Sequence, residues 1–197
     1  MKLILATNNR HKLEEAKVIL SNYPIEVISL EKAKIYEQPL EDGSTYAENA
    51  TIKVKSAQKF TILPIFADDS GLEIEGLDNA PGIFSKRFTS IYGGQEETNR
   101  YLCKIVGNSP ATFHCSIALA NIKNKIRIFE GEMRGRLSLS PSGTNGFGYD
   151  PIFIPDGYDV TYAELSSYEK NKISHRYRAM KEMIKYLKKK VLFDLLF

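Results

Sequence analysis

Asp68 and Asp69 stand side by side where the apolar run Pro64, Ile65, Phe66, Ala67 gives way to Ser70 and Gly71. Two neighbouring carboxylates repel, and each raises the pKa of the other. A bound divalent cation reverses that penalty. The pair therefore reads as a metal address, with a solvated acidic turn built on Ser70-Gly71 as the alternative. Side chains alternate along a strand, so the two carboxylates cannot face the same way; at most one heads straight into a site while the other supports it.

Three further stretches carry groups of the right type. Thr7-Asn8-Asn9-Arg10-His11-Lys12 lies where a strand passes into a helix. Backbone N–H groups at a helix N-terminus favour anions, although Thr and Asn are also ordinary capping residues. Ser142 to Asp150 packs three glycines and two aromatics into nine residues. Glycine permits close approach to a ligand and Phe147 or Tyr149 could stack on a base; a tight loop with packed aromatics is the alternative. The spacing matches neither GxGxxG nor GxxxxGK[ST]. Last, His175 and Arg176 follow Ser174 into the final helix, where positive charge opposes the macrodipole. An anionic ligand would compensate for it, and a solvated basic helix start would not need one. Glu41 and Lys53 carry no signal on their own.

The elements that must position these groups follow from hydrophobic periodicity. Strands are expected at Lys2 to Thr7, Ile25 to Ser29, Leu63 to Ala67, Leu72 to Glu75, Ala111 to Asn121, Ile126 to Arg134 and Ile152 to Ile154. Helices are expected at Asn8 to Ser21, Thr45 to Phe60, Gln95 to Val106 and Ser174 to Lys190. Asp42-Gly43-Ser44 supplies a turn and cap before the second helix, and Asn121 to Lys125 reads as a hairpin connection. Helices alternating with strands point to an α/β protein with a mixed sheet.

The chain has 197 residues, 43% hydrophobic and 26% charged, enough for one substantial core. A net charge of +3 is too small to announce a nucleic-acid binder. Cys103 and Cys115 lack metal-site or disulfide spacing and are expected to be buried thiols. No stretch approaches the roughly 18 apolar residues of a membrane span, so a soluble cytoplasmic protein is expected. Six of the seven residues from Val191 to Phe197 are apolar, too many to expose comfortably, and docking onto the core or a partner subunit is expected.

Taken together, Thr7 to Lys12, Tyr46-Ala47-Glu48-Asn49-Ala50, Ala67-Asp68-Asp69-Ser70-Gly71-Leu72, Ala80-Pro81-Gly82-Ile83-Phe84-Ser85, Gly146-Phe147-Gly148-Tyr149-Asp150-Pro151-Ile152-Phe153 and Ser174-His175-Arg176 resemble the inosine triphosphate pyrophosphatase family, or XTP/dITP diphosphatases. The resemblance spans nearly the whole chain. It implies one domain over residues 1–197, elongated and two-lobed, with a central twisted mixed sheet flanked by helices and an active cleft between the lobes, working as a homodimer. It implies magnesium-dependent hydrolysis of inosine and xanthosine triphosphates and their deoxy forms to the monophosphate and pyrophosphate, with manganese as a substitute metal. Carried over by position, Thr7, Asn8, Asn9, Arg10, His11 and Lys12 would hold the triphosphate, and Glu41 and Asp69 the metal. Asp69 would be the proton acceptor, with Asp68 and Lys53 beside it. Lys53, Ser70, Lys86 and Lys170 would support phosphates or sugar, and Phe147, Gly148, Tyr149 and Asp150 with His175 and Arg176 would enclose the base. The similar Maf-like pyrophosphatases carry a Ser-x-Arg-Arg segment where this chain has Asn9-Arg10-His11-Lys12. A nucleic-acid binder or nucleotide sensor would leave the acidic pair unaccounted for.

Overall fold

A computed structural model describes residues 1–122 and 125–193, with the side chains of 191–193 left out. The expectation for the apolar tail, Val191 to Phe197, lies outside the described side chains. Six strands form one sheet in the order β2-β1-β3-β4-β5-β6, comprising β1 (Lys2–Leu5), β2 (Glu26–Ser29), β3 (Ile65–Ile74), β4 (Pro110–Ala120), β5 (Arg127–Leu137) and β6 (Phe153–Pro155). β1 pairs in parallel with both β2 and β3, and β5 pairs antiparallel with β6, so the sheet is mixed as expected. Six helices accompany it among the described residues: α1 (Arg10–Leu20), α2 (Tyr46–Ala57), α3 (Ser85–Ile91), α4 (Gln95–Val106), α5 (Ser167–Ile173) and α6 (His175–Phe193). The chain gathers into two compact units, the first made of Met1–Asp69, Cys115–Gly131 and Arg176–Phe197, the second of Ser70–His114 and Glu132–His175.

In the first unit the sheet is buried on both faces, which is why its strands read as nearly continuous apolar runs. Leu3, Leu5, Phe66, Cys115, Ile117 and Leu119 pack with Ala16, Ile19 and Leu20 of α1 and Ala179, Met180, Met183, Ile184 and Leu187 of α6. The alternate residues Ile4, Ala6, Ile65, Ala67, Ala118 and Ala120 pack instead with Ala50, Val54 and Ala57 of α2. This alternation decides where Asp68 and Asp69 go. The second unit has its own core, in which Leu72, Ile74, Phe113, Met133, Leu137 and Phe153 meet Leu102 and Cys103 of α4. Both cysteines are free and buried.

Two local expectations are corrected. The acidic residues do not sit in a turn between two strands: β3 runs unbroken through Asp68, Asp69, Ser70 and Gly71. Tertiary pairing and neutralisation of both carboxylates override the turn chemistry of Ser-Gly. The cap of α2 is Thr45, whose side chain accepts from the Glu48 N–H, rather than Asp42 to Ser44. Helix α3 lies between β3 and α4, and α5 lies just before the last helix, capped by a reciprocal Ser166–Glu169 box. Ser174 closes α5, its N–H bonded to Lys170 O, and immediately precedes α6. The connection between β4 and β5 is short, as a hairpin requires, and residues 123 and 124 within it lie outside the described residues.

Candidate active site

Alternation along β3 sends Asp68 toward α1 and α6. Its Oδ2 lies 2.9 Å from Lys12 Nζ and accepts from Arg176 Nε at 3.1 Å. Arg176, only 2% exposed, also pairs with Glu15 of α1. Burial alone would raise the Asp68 pKa, but Lys12 and Arg176, with Lys53 behind them, hold it well below the usual carboxylate range. Arg176 is thus held by carboxylates of its own unit, which accounts for a positive charge in the first turn of α6 without an outside anion. Oδ1 of Asp68 is buried without a hydrogen-bond partner among the described residues. Cys115, beside this cluster, has its thiol pushed up to about 12, chiefly by burial, and is inert as a nucleophile.

Asp69, on the opposite face, meets α2. Its Oδ1 lies 2.9 Å from Lys53 Nζ, which also bonds Glu41 Oε2 at 3.0 Å. The other oxygen, Oδ2, accepts from Asn49 Nδ2 at 3.3 Å. Burial raises the Asp69 pKa, and Lys53 and Lys12 only partly offset it. On Lys53 itself, burial opposes the charge, yet Asp69, Asp68 and Glu41 outweigh it and raise the ammonium pKa. The first unit therefore holds a firmly ionised anchor, Asp68, next to a carboxylate that binds protons more readily, Asp69. Such a separation between neighbours is what distinguishes a structural anion from a proton acceptor.

The donor set also fits magnesium. Glu41 and Asp69 converge on one ammonium, so two carboxylate oxygens already face a single cation-sized point. No group of three or more His, Cys, Asp or Glu gathers among the described residues to cage a metal, here or elsewhere, so Glu41 and Asp69 would supply only part of a coordination shell. Magnesium is commonly held by one or two carboxylates and completes its shell with water and substrate phosphate.

The segment before α1 is built as a cap. Asn9 Oδ1 accepts from the N–H groups of His11 and Lys12, and Thr7 Oγ1 accepts from Asn9 N–H. Asn8, Arg10 and His11 are exposed, while Lys12 turns inward to Asp68.

In the second unit, the loop expected to enclose a base is pinned from several sides. Tyr149 Oη donates to Ser85 O at 2.7 Å, and burial raises its pKa. Asn99 Nδ2 donates to Gly148 O at 3.0 Å. Asp150 Oδ2 accepts from Phe147 N–H and pairs with Lys170 Nζ at 2.6 Å. Lys170 lies 5% exposed, with its ammonium 4.3 Å from the centre of the Tyr162 ring. His175 stacks on Phe113, with ring centres 4.8 Å apart. Ser70 and Phe147 are half-buried and Lys86 is exposed on α3. Ser85 accepts from Leu72 N–H and donates to Gly82 O, fixing the start of α3.

Asn49, Glu15, Asn99 and Tyr162 were given no role by sequence reasoning. Asn49 belongs to a block that carries the resemblance, but nothing local marks an Asn inside a helix as a link between Asp69 and the Gly43 backbone; the others show only once the fold brings them near Arg176, Gly148 and Lys170.

Comparison with known proteins bears on the family and the fold. The model of the Ham1 family matches residues 3–186. The dITP/XTP pyrophosphatase of Halalkalibacterium halodurans is 42% identical, covering 93% of this chain and 97% of its own length. That of Aquifex aeolicus is 43% identical, covering 95% and 97%. Among solved structures, a HAM1 protein from Coxiella burnetii superposes with a TM-score of 0.84 at 37% identity, covering 96% of this chain and 99% of that one. With a family match over nearly its whole length, relatives of this identity and the expected resemblance borne out, the chain belongs to the Ham1 family.

Proposed function

We propose that the chain is a nucleoside triphosphate pyrophosphatase that hydrolyses non-standard purine nucleotides, dITP, ITP and XTP, to the monophosphate and pyrophosphate and so clears them from the nucleotide pool. The activity named for the relatives, dITP/XTP pyrophosphatase, supports the substrate class. The observation that carries the mechanism is the joint grip of Lys53 on Glu41 and Asp69.

Magnesium, or manganese in its place, held by Glu41 and Asp69, would neutralise phosphate charge and make water a better nucleophile. The remaining chemistry belongs to the chain. Asp69 orients the attacking water and accepts its proton. The water oxygen bonds to the α-phosphorus as the α–β bridging bond breaks, and its electrons leave with pyrophosphate. Arg10, Lys12 and Lys53 meet the developing charge, where positioning and electrostatics do most of the work. Asp68 holds Lys12 and Arg176 in place for this task.

Selectivity follows from base chemistry. Hypoxanthine and xanthine present a carbonyl at position 6, where adenine presents a donor. A donor from His175 would pair with the carbonyl and be left unpaired by adenine, a mismatch that can reach about 10⁴-fold in discrimination. Ser70, Lys86 and the stretch from Phe147 to Asp150 take sugar and base. The whole chain, 1–197, acts as one catalytic domain in a cytoplasmic homodimer, a state light scattering would check. No described helix is long and apolar enough to cross a membrane.

The test is pyrophosphate release with magnesium and dITP, XTP, dATP or dGTP. Rapid release from the first two alone supports the reading. Equal release from all four removes the selectivity, and release from none removes the activity.

A further inference from the structure

Asn49 is 1% exposed and sits inside α2, where a polar residue without packing value calls for a reason. Its amide makes two bonds to two different segments. Oδ1 accepts from Gly43 N–H at 2.9 Å, and Nδ2 donates to Asp69 Oδ2 at 3.3 Å. Both partners demand the same orientation: an N–H must face the amide oxygen, and a carboxylate must face the amide nitrogen. Asp at this position would set a like charge against Asp69, and Ser or Ala could not span both partners.

Asn49 and Lys53 lie four residues apart, hence on one face of the helix. They hold different oxygens of the same carboxylate, Oδ2 and Oδ1. Gly43 follows Glu41 by two residues, and the next links of that segment are also fastened to α2: Ser44 N–H donates to Glu48 Oε2 at 2.7 Å, and Thr45 Oγ1 accepts from Glu48 N–H at 3.1 Å. The fit at Gly43 is close. A Cβ there would fall 2.8 Å from Asn49 Oδ1 and 2.8 Å from Glu48 Cβ.

We infer that Asn49 is a positioning residue for the acidic pair: one buried amide fixes the orientation of Asp69 and, through Gly43, the placement of Glu41 beside it. The inference rests on the proposed reaction, in which these two carboxylates hold the metal. Outer partners that orient ligands typically change metal affinity by about 10–100-fold when removed.

The experiment compares the full-length protein with Asn49→Ala. Mn²⁺ binding is followed by water proton relaxation without nucleotide, alongside magnesium activation of pyrophosphate release. The Mn²⁺ dissociation constant and the magnesium concentration for half-activation should both rise about tenfold or more. The KM for dITP at saturating magnesium should stay within about twofold, since uniform substrate binding is untouched. A lowered melting temperature with unchanged Mn²⁺ affinity would make Asn49 a merely structural residue and overturn the inference. Should Asn49→Ala not fold, Gly43→Ala, which crowds the amide oxygen, should raise the same two constants, and unchanged constants there would also overturn it. An unaltered protein that binds Mn²⁺ but releases no pyrophosphate would defeat the proposed reaction and leave the binding comparison standing; one that binds no Mn²⁺ would defeat the inference.

Discussion

Lys53 and Asp69 meet at 2.9 Å through Nζ and Oδ1, and the same ammonium reaches Glu41 at 3.0 Å. One cation supplied by α2 thus gathers the two carboxylates that the resemblance assigns to a metal. The ammonium keeps two acids of like charge together, and in the proposed reaction it meets phosphate charge. Lys53→Met should retain the fold and lower kcat by about 10²-fold or more, the scale seen when one electrostatic stabiliser is removed. Steady-state kinetics at saturating dITP and magnesium checks this.

Asp69 should set the acid limb of the pH profile. Its folded pKa lies above the ordinary value of 3.8, through burial that Lys53 and Lys12 only partly offset. The reaction needs the unprotonated form, so a raised pKa moves the limb of kcat/KM upward in pH. In stability the sign is opposite: the protonated form is favoured in the fold, so that contribution is full below 3.8 and is lost as pH rises through the folded pKa. Lys53→Met removes a lowering influence and should shift the limb further up in whatever activity remains.

Asp68 should behave as an anchor. With Lys12 and Arg176 on one oxygen, Asp68→Asn leaves two cations without their buried partner, and losing one member of a buried pair costs about 3–5 kcal/mol. Urea denaturation should show this loss at pH 7. Because the folded pKa lies below 3.8, the advantage of the native residue persists above that value and fades as pH falls toward the lower folded pKa.

How much of this was legible in the sequence differs from group to group. The opposed facing of Asp68 and Asp69 followed from strand alternation alone, and the structure sends them to α1 and α2 respectively. That β3 continues through them was not legible, because Ser70-Gly71 signals a turn locally and only cations from three distant elements remove the conflict. Helix α5 was legible in principle from Ser166 and Glu169, three residues apart; the absence of a strong apolar period around them hid it. Asn49 could not be found from sequence physics, since its two partners lie six and twenty residues away on segments whose packing is tertiary.

Arg176→Ala should lower turnover of dITP and dATP by the same factor. Its guanidinium is taken by Asp68 and Glu15, so its loss loosens the phosphate-side anchor without altering base contacts. A selective loss of dITP turnover would return it to base reading.

Gly146→Ala should collapse the second-unit loop. A Cβ there would fall 2.0 Å from both Asp150 Oδ2 and Lys170 Nζ, and the backbone has φ of +89°, which side-chain-bearing residues rarely adopt. Thermal unfolding should move down by several degrees, on the order of the roughly 2–4 °C per kcal/mol expected for this size.

The most direct test of the account resolves the products of dITP hydrolysis by phosphorus NMR in water enriched with ¹⁸O. Deoxyinosine monophosphate carrying the label is expected, together with unlabelled pyrophosphate. Deoxyinosine diphosphate with orthophosphate as the primary products would contradict it, because cleavage would then lie at the γ-phosphate and the roles given to Asp69, Glu41 and Lys53 would not apply.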